Sequence, residues 1–462
     1  MPTLPRLEAL DFGRGAADHE KSLSNYFYRT LAFENACDPE NCLVLGEKGA
    51  GKSAIFLMMK EMSQSIQELA NPNFFVATTA NLREHSQLLR TKLPGPASPV
   101  TLWKFYFASI AALTLLDTST GTEADFLVRF IEHWEINPQR FPNLLGASLT
   151  IPLKIVELKL GRSSALAPNP LQLQEVFSRV NRILSVDSRT LYIALDELDK
   201  ISIDGADSKN HSDELLNGLM QTHSELYQLG QIRFKFFIRA DVYEGLTYVD
   251  KDHFSNAILR LKWDPEDLAM MVALRIAAST EGTATTPNLA QALELIDEVF
   301  EWPEDVGGFD QVLNQLRDGR GSVLPRDLLN FAINAKMNQI RFNTYGTHKP
   351  TKGIISSVAV EKGLEEASKA KLNDFLTTFP DLYKRFLNLQ GHTSARISQR
   401  ELQNLLNLSD KLDFDLAVED FWRIGAIAKE GDRPVHLTEG FVIPPIYRRA
   451  LNMKGSKDER RE

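Results

Sequence analysis

The sequence predicts an α/β fold: a parallel sheet with helices on both faces, followed by a helical lid and a C-terminal winged-helix domain. Three observations carry this. In the first half, short apolar runs alternate with stretches of helical periodicity, the pattern of strand–helix–strand units. After Trp263 only helical patterns remain, and from about Thr393 the order becomes helix, helix, hairpin. The 462 residues, 43% hydrophobic and 24% charged, have ordinary globular usage. At roughly 150 residues per domain they make two or three domains.

The elements follow in order. NCLVL (41–45) reads as a buried strand that ends in a glycine-rich loop, with a helix beyond it to about Leu69. FFVATT (74–79) is the next strand. Trp103 to Leu116 is too apolar for a surface helix and is placed against the sheet, and 117–123 reads as a loop. Residues 124–160 break the alternation as an insertion. Within 148–161, Ile155, Glu157 and Lys159 alternate with Val156, Leu158 and Leu160, which predicts a β-ribbon, and 161–170 reads as a flexible connector. Leu173, Val176, Phe177, Val180 and Ile183 have helical spacing, with Pro170 suited to the first turn. Strands at 190–195 and 232–238 bracket a helix from Ser212 to Leu229, stopped by Gly230.

Asp264-Pro265-Glu266 starts the next helix, and 281–288 and 343–353 are linkers. The division is a core over 1–280, a lid over 281–345, a helical linker over 346–392, a winged-helix-like domain over 393–452 and a charged tail over 453–462. In the winged-helix-like domain, helices at 397–406 and 414–425 precede a hairpin over 427–437 that turns at Glu430-Gly431-Asp432.

Composition narrows the function classes. The net charge of −9 argues against a chain-wide nucleic-acid or anionic-membrane coat. Cys37 and Cys42 have no zinc-completing histidine pair and read as ordinary thiols of a reducing compartment. The first residues lack the apolar core of a signal peptide. The longest apolar run, Phe105 to Leu116, is short of the roughly 20 residues a bilayer needs. The expectation is a cytoplasmic chain with no membrane segment.

Gly46-Glu47-Lys48-Gly49-Ala50-Gly51-Lys52-Ser53 matches G-x-x-x-x-G-K-[ST], strand before and helix after. Glycines let backbone N–H groups turn inward around phosphates, and the following helix points its positive end at them. Lys52 supplies charge to the β- and γ-phosphates, the Ser53 hydroxyl is a magnesium ligand, and Ala54 continues the contact set. The alternative is a glycine-rich turn that binds nothing. A hydrophobic strand ends at Asp196-Glu197, where the aspartate would hold Mg²⁺ and the glutamate would orient and deprotonate water. Arg239, at the end of the strand expected between those two, would face the γ-phosphate, or else pair with Asp241 or Glu244. Arg326 begins a helix from which a lid arginine would reach the nucleotide, or else is a solvated first-turn residue.

These residues together, GEKGAGKS, ALDELDK, FIRADV and LPRDLL in order, resemble prokaryotic P-loop ATPases of the AAA+/STAND type. DELDK and the lid arginine ahead of a winged helix are similar to the origin-recognition/initiator branch. The resemblance spans about 12–335 by motif and 393–450 by pattern. It implies ATP and Mg²⁺ bound by Gly46, Gly51, Lys52, Ser53 and Asp196, hydrolysis through Glu197, and a lid contact by Arg326. It also implies self-assembly or a partner protein met through the ATPase core, as a nucleotide-driven switch in a prokaryotic stress or phage-defence setting. The initiator branch commonly has Asn or Thr where Arg239 stands, and no trans arginine finger is evident; Arg260 and Arg275 are the candidates.

A winged helix invites a DNA-binding reading, with loading, replication or transposition as the alternative function. Residues 391–462 hold 12 basic and 12 acidic side chains. The second helix carries Asp415, Glu419 and Asp420 against Arg423, so charge does not support DNA reading there. Tyr26 and Phe27 would flank an adenine or lie in the core.

Overall fold

A computed structural model describes residues 5–15, 17, 20, 22–70, 73–79, 82–92, 97–137, 170–201, 209–248, 251–281, 286–431 and 434–453. The predicted β-ribbon, the connector before Pro170 and the charged tail beyond 453 lie outside them. Two compact units are present. One comprises Leu31–Gly46 and Lys52–Leu261, the other Met1–Thr30, Glu47–Gly51 and Lys262–Glu462.

The first unit is built on a five-stranded sheet of β1 (Leu43–Gly46), β2 (Phe74–Thr79), β3 (Leu191–Asp196), β4 (Ile232–Arg239) and β5 (Ile258–Arg260). All neighbours run parallel, in the order β2-β3-β4-β1-β5. Strand β1 is buried throughout, as a central strand of a covered parallel sheet must be. The helices are α1 (Leu31–Cys37), α2 (Lys52–Met62), α3 (Leu82–Lys92), α4 (Pro99–Leu115), α5 (Gly121–His133), α6 (Pro170–Val186), α7 (Lys209–Tyr227) and α8 (Ala240–Gly245). Two residues of β4 an odd number of positions apart show that both sheet faces are covered. Phe237 meets Phe56 of α2 at 5.6 Å, whereas Phe234 meets Phe107 of α4 at 4.7 Å.

Helix α4 starts with Pro99 in its first turn and the Ser98 hydroxyl accepting from the Thr101 N–H. Trp103, Phe105, Tyr106 and Phe107 are essentially inaccessible, and the Trp103 indole donates to the Leu215 carbonyl at 2.8 Å. With the turn that follows, this helix runs over Pro99–Thr118, longer than the twelve-residue run suggested. By length and composition it would cross a bilayer, but most of it is buried in this unit.

Some boundaries move. Helix α2 stops at Met62 rather than near Leu69, where the Ser63 and Ser65 hydroxyls donate to the Lys60 and Met62 carbonyls and compete for the helical acceptors. Much of the predicted 117–123 loop is structured: Leu116–Thr118 form a single 3₁₀ turn and α5 begins at Gly121. The described start of the expected insertion, 124–133, is helical.

The long C-terminal stretch of the second unit starts at Lys262, ahead of residue 280. The reason is α9 (Pro265–Glu281), whose Leu268, Met271, Val272 and Ile276 bury in that unit's core together with Leu7, Leu10 and Phe12 of the N-terminal segment. Helices α10 (Leu289–Val299), α11 (Phe309–Gln315) and α12 (Pro325–Tyr345) follow. Asn288 and Gln291 form a capping box on α10, and Gly346 closes α12 in the left-handed region at φ 69°.

The span predicted as a linker holds a 22-residue helix, α13 (Ser357–Thr378), packed along α12. Gly363 makes this packing possible, because a Cβ there would stand 2.8 Å from Ala335 Cβ and 2.9 Å from the Phe331 carbonyl oxygen.

After α14 (Pro380–Phe386) come β6 (Arg396–Ser398), α15 (Gln399–Leu405), α16 (Lys411–Arg423), β7 (Ala428–Lys429), β8 (Gly440–Val442) and α17 (Pro445–Arg448). The strands form an antiparallel sheet in the order β6-β8-β7. The partner of β7 is therefore not the stretch just past Gly431. Pro434 has no N–H to give a ladder, Val435–Leu437 form a 3₁₀ turn, and the return strand starts at Gly440.

Candidate phosphate-binding site

Three strand ends of the first unit bring the sequence-predicted residues together. β1 ends at Gly46, whose register partner on β4 is Arg239. β3 ends at Asp196, which is 4% exposed. β4 pairs with both β1 and β3, so it is the intervening strand that the sequence anticipates.

Lys52 opens α2, and its ammonium donates to the Gly46 carbonyl at 2.8 Å. Burial pulls the Lys52 pKa down to about 8. Asp199 and Asp196 oppose that fall, Arg239 adds to it, and Asp241 opposes it. Ser53 follows on the same first turn.

Glu197 sits just past β3 with φ 58° and ψ 27°, a left-handed conformation for a non-glycine residue. Such a backbone costs about 1–2 kcal/mol. Its carboxylate pairs with the Lys200 ammonium. Arg239 is not on open surface. Its guanidinium forks onto Asp241, Nε to Oδ1 at 3.1 Å and Nη2 to Oδ2 at 2.6 Å, with Asp199 at 3.8 Å. Glu244, the other anticipated partner, is paired with Arg260 at 2.9 Å. Asp241 is the partner the sequence offered for Arg239, whereas Asp199 is the residue that sequence reasoning missed. The repeated acid in DELDK was the available signal.

The middle of the phosphate loop, Glu47–Gly51, belongs to the second unit. Gly49 and Gly51 take φ of 96° and 92°, and the Ala50 N–H donates to the Glu47 carbonyl at 3.1 Å. A Cβ on Gly49 would lie 2.9 Å from Arg326 Cβ, so both conformation and crowding require glycine there. The Arg326 N–H donates to the Gly49 carbonyl at 3.3 Å, and its Nε donates to the Gly15 carbonyl at 3.1 Å. Arg326 is therefore a loop-contacting residue rather than a solvated first-turn one.

Lys48 donates to Asp374 and to Thr378 Oγ1, each at 3.2 Å. The Trp263 indole donates to the Ala50 carbonyl at 2.9 Å. Burial first, then the Asp318 carboxylate, pushes Glu47 up to about 7 against Lys371 and Arg320. Trp263 and Asp374 are further residues missed, since nothing in their local sequence marks a loop contact more than 200 residues away.

Arg275, a candidate arginine finger, is structural. It is buried with Glu20 at 3.1 Å, donates to the Phe12 carbonyl and lies 4.5 Å over the Tyr26 ring. Tyr26 is itself core, with its hydroxyl on Glu20 at 3.0 Å. Arg260 is committed to Glu244. Among the described residues, no three His, Cys, Asp or Glu side chains converge as a metal site.

No family model matches the chain. Over 402 residues, 83% of this chain, it is 23% identical to the transposon gamma-delta 80.3 kDa protein of Escherichia coli (strain K12). The match covers 53% of that protein, so the chain spans about half the length of the curated relative it matches. Solved structures similar to it include Cdc6p from Pyrobaculum aerophilum, with 10% identity, a TM-score of 0.36 and 97% of each chain covered. The Aeropyrum pernix ORC1 protein in complex with DNA has 14% identity and a TM-score of 0.36, over 97% of this chain and 96% of that one. The Aeropyrum pernix ORC2 protein, in ADPNP–ADP complexes, has 14% identity and a TM-score of 0.38, over 92% and 90%. These likenesses are too distant to assign residues, and the site rests on the chain's own geometry.

Proposed function

We propose that the chain is an ATP-binding and ATP-hydrolysing P-loop ATPase that works as a nucleotide-driven conformational or assembly switch. The observation that carries this is the convergence of Lys52, Asp196, Asp199, Arg239 and Asp241 near the ends of adjacent parallel strands, with Gly49 and Gly51 of the segment that precedes Lys52 both at positive φ. A glycine-rich turn with no ligand gives no reason to hold a lysine in a buried site where its charge is disfavoured.

Each residue then has a role. The loop N–H groups and Lys52 hold the β- and γ-phosphates. The Ser53 hydroxyl and the buried Asp196 carboxylate are hard oxygen donors suited to Mg²⁺, which supplies charge neutralisation on the phosphates when bound. With no triad of protein ligands among the described residues, such an ion would complete its shell with phosphate oxygens and water, as magnesium favours. Glu197 orients and deprotonates the attacking water, for which it must release Lys200. Arg239, oriented at the end of β4 by Asp241 and Asp199, turns its charge to the γ-phosphate. Arg326 reads loop position from the lid side through Gly49. The C-terminal sheet and two helices fit a winged helix that packs on the lid and answers to it.

A second reading, a DNA-associated ATPase, is favoured by one observation: the sequence match to a protein assigned to a transposon. Against it stands the acidic α16, where Asp413, Asp415, Glu419 and Asp420 outnumber Lys411 and Arg423. Steady-state ATP turnover with and without duplex DNA separates the two, with Glu197→Gln as the contamination control. Turnover indifferent to DNA supports the switch, a severalfold rise supports the second reading, and turnover undiminished in the control removes Glu197 as base.

A further inference from the structure

We propose that Arg320 is a positioning residue that ties the phosphate loop to the C-terminal module, so that a loop closed on nucleotide is felt at the end of α16. This rests on the reading that the loop binds a nucleotide. One nitrogen makes the connection: Arg320 Nη1 lies 3.4 Å from Glu47 Oε1, in the second position of the loop, and donates to the Arg423 carbonyl, the last residue of α16, at 3.3 Å.

The segment that carries Arg320 is fastened on the module side. Asp318 Oδ1 accepts from the N–H groups of Arg320 and Ser322 at 2.9 and 3.0 Å, and the Asp318 N–H donates to the Ser322 carbonyl at 3.0 Å, which locks a turn. Gly319 donates to the Gly425 carbonyl at 2.7 Å. A Cβ at Gly319 would overlap the Ile427 carbonyl oxygen, so backbone lies directly on backbone. The turn therefore moves with the stretch after α16.

On the loop side the Arg320 contact is between side chains, and that is the part which must rearrange. Drawing loop N–H groups onto phosphates repositions Glu47, whose own carbonyl closes the turn to Ala50. Glu47 also feels Lys371 and shares a hydrogen bond with Asp318 on the same turn, so a shift of Glu47 is carried to that turn and, through Arg320, to the end of α16. The bland reading is a surface ion pair of little worth. Its role here is not stability: one guanidinium joins two moving parts.

Hydrogen exchange on the full chain tests this, in a Glu197→Gln background that retains ATP. ATP should slow exchange across residues 423–429 by at least about fivefold, the low end of ordinary coupling between sites. Adding Arg320→Gln should leave ATP affinity within about fivefold, what an exposed ion pair is worth, while abolishing that slowing. Arg320→Lys, which keeps a charge for Glu47, should restore part of it. Full slowing in the Arg320→Gln chain overturns the proposal, as does ATP binding with no change at 423–429 in either chain. Absence of ATP binding in the Glu197→Gln chain would instead overturn the nucleotide reading itself.

Discussion

Lys52 is the residue on which the chemistry turns. In the absence of phosphate its charged form is disfavoured by burial, with a pKa of about 8, whereas a bound polyphosphate favours that form. Binding therefore takes up a proton once the pH exceeds about 8. ATP affinity should be flat with respect to this group below that value and fall above it, by up to about tenfold per pH unit. Titration of ATP binding from pH 7 to 10 measures this, and an unchanging affinity would mean that Lys52 does not face the phosphates.

Glu197 is the second test at this scale. Its left-handed backbone and its pairing with Lys200 describe a carboxylate that is not yet engaged. Glu197→Gln should bind ATP normally and lose turnover by at least about a hundredfold, the usual contribution of a general base. Both residues were legible in the sequence because their motifs are local. Asp241 was legible as a partner of Arg239, but Asp199 was not, since a carboxylate near a strand end is commonplace until the sheet order brings the ends together.

Among the elements, the strands were the most legible. FFVATT is a strand from end to end, and the apolar runs at 41, 190 and 232 are all in the parallel sheet. Where the reading failed, tertiary packing or local side-chain bonding decided. The 346–392 segment reads as a helical linker and does hold the helix α13, but its close packing on α12 through Gly363 is a tertiary feature. Gly363→Val should overpack that contact and cost about 1–3 kcal/mol. Calorimetric unfolding should show the corresponding fall of several degrees in Tm; an unchanged Tm would mean that the two helices do not pack so closely. The hairpin after α16 was misplaced because Gly431 is a turn signal, whereas Pro434 delays the return strand to Gly440.

For the molecule as a whole, the division into two units departs furthest from what the sequence showed. The phosphate loop reads as part of the first unit, yet Glu47–Gly51 group with Lys262–Glu462 and with the N-terminal segment. Arg326, Trp263 and Asp374 gather on that loop or its lysine from far along the chain, and no local pattern reveals such contacts. This arrangement is why a switch is preferred to a freestanding hydrolase: the loop residues Glu47–Gly51 are packed among those of the second unit.

Equilibrium binding of ATP with Mg²⁺ to the wild-type chain and to Lys52→Ala at pH 7.5 bears on all of this most directly. Loss of one charged donor to phosphate should weaken binding by about 10–100-fold, with the folded chain otherwise intact by circular dichroism. Equal binding by the two chains, or none by the wild type, would contradict the assignment of this loop as a nucleotide site.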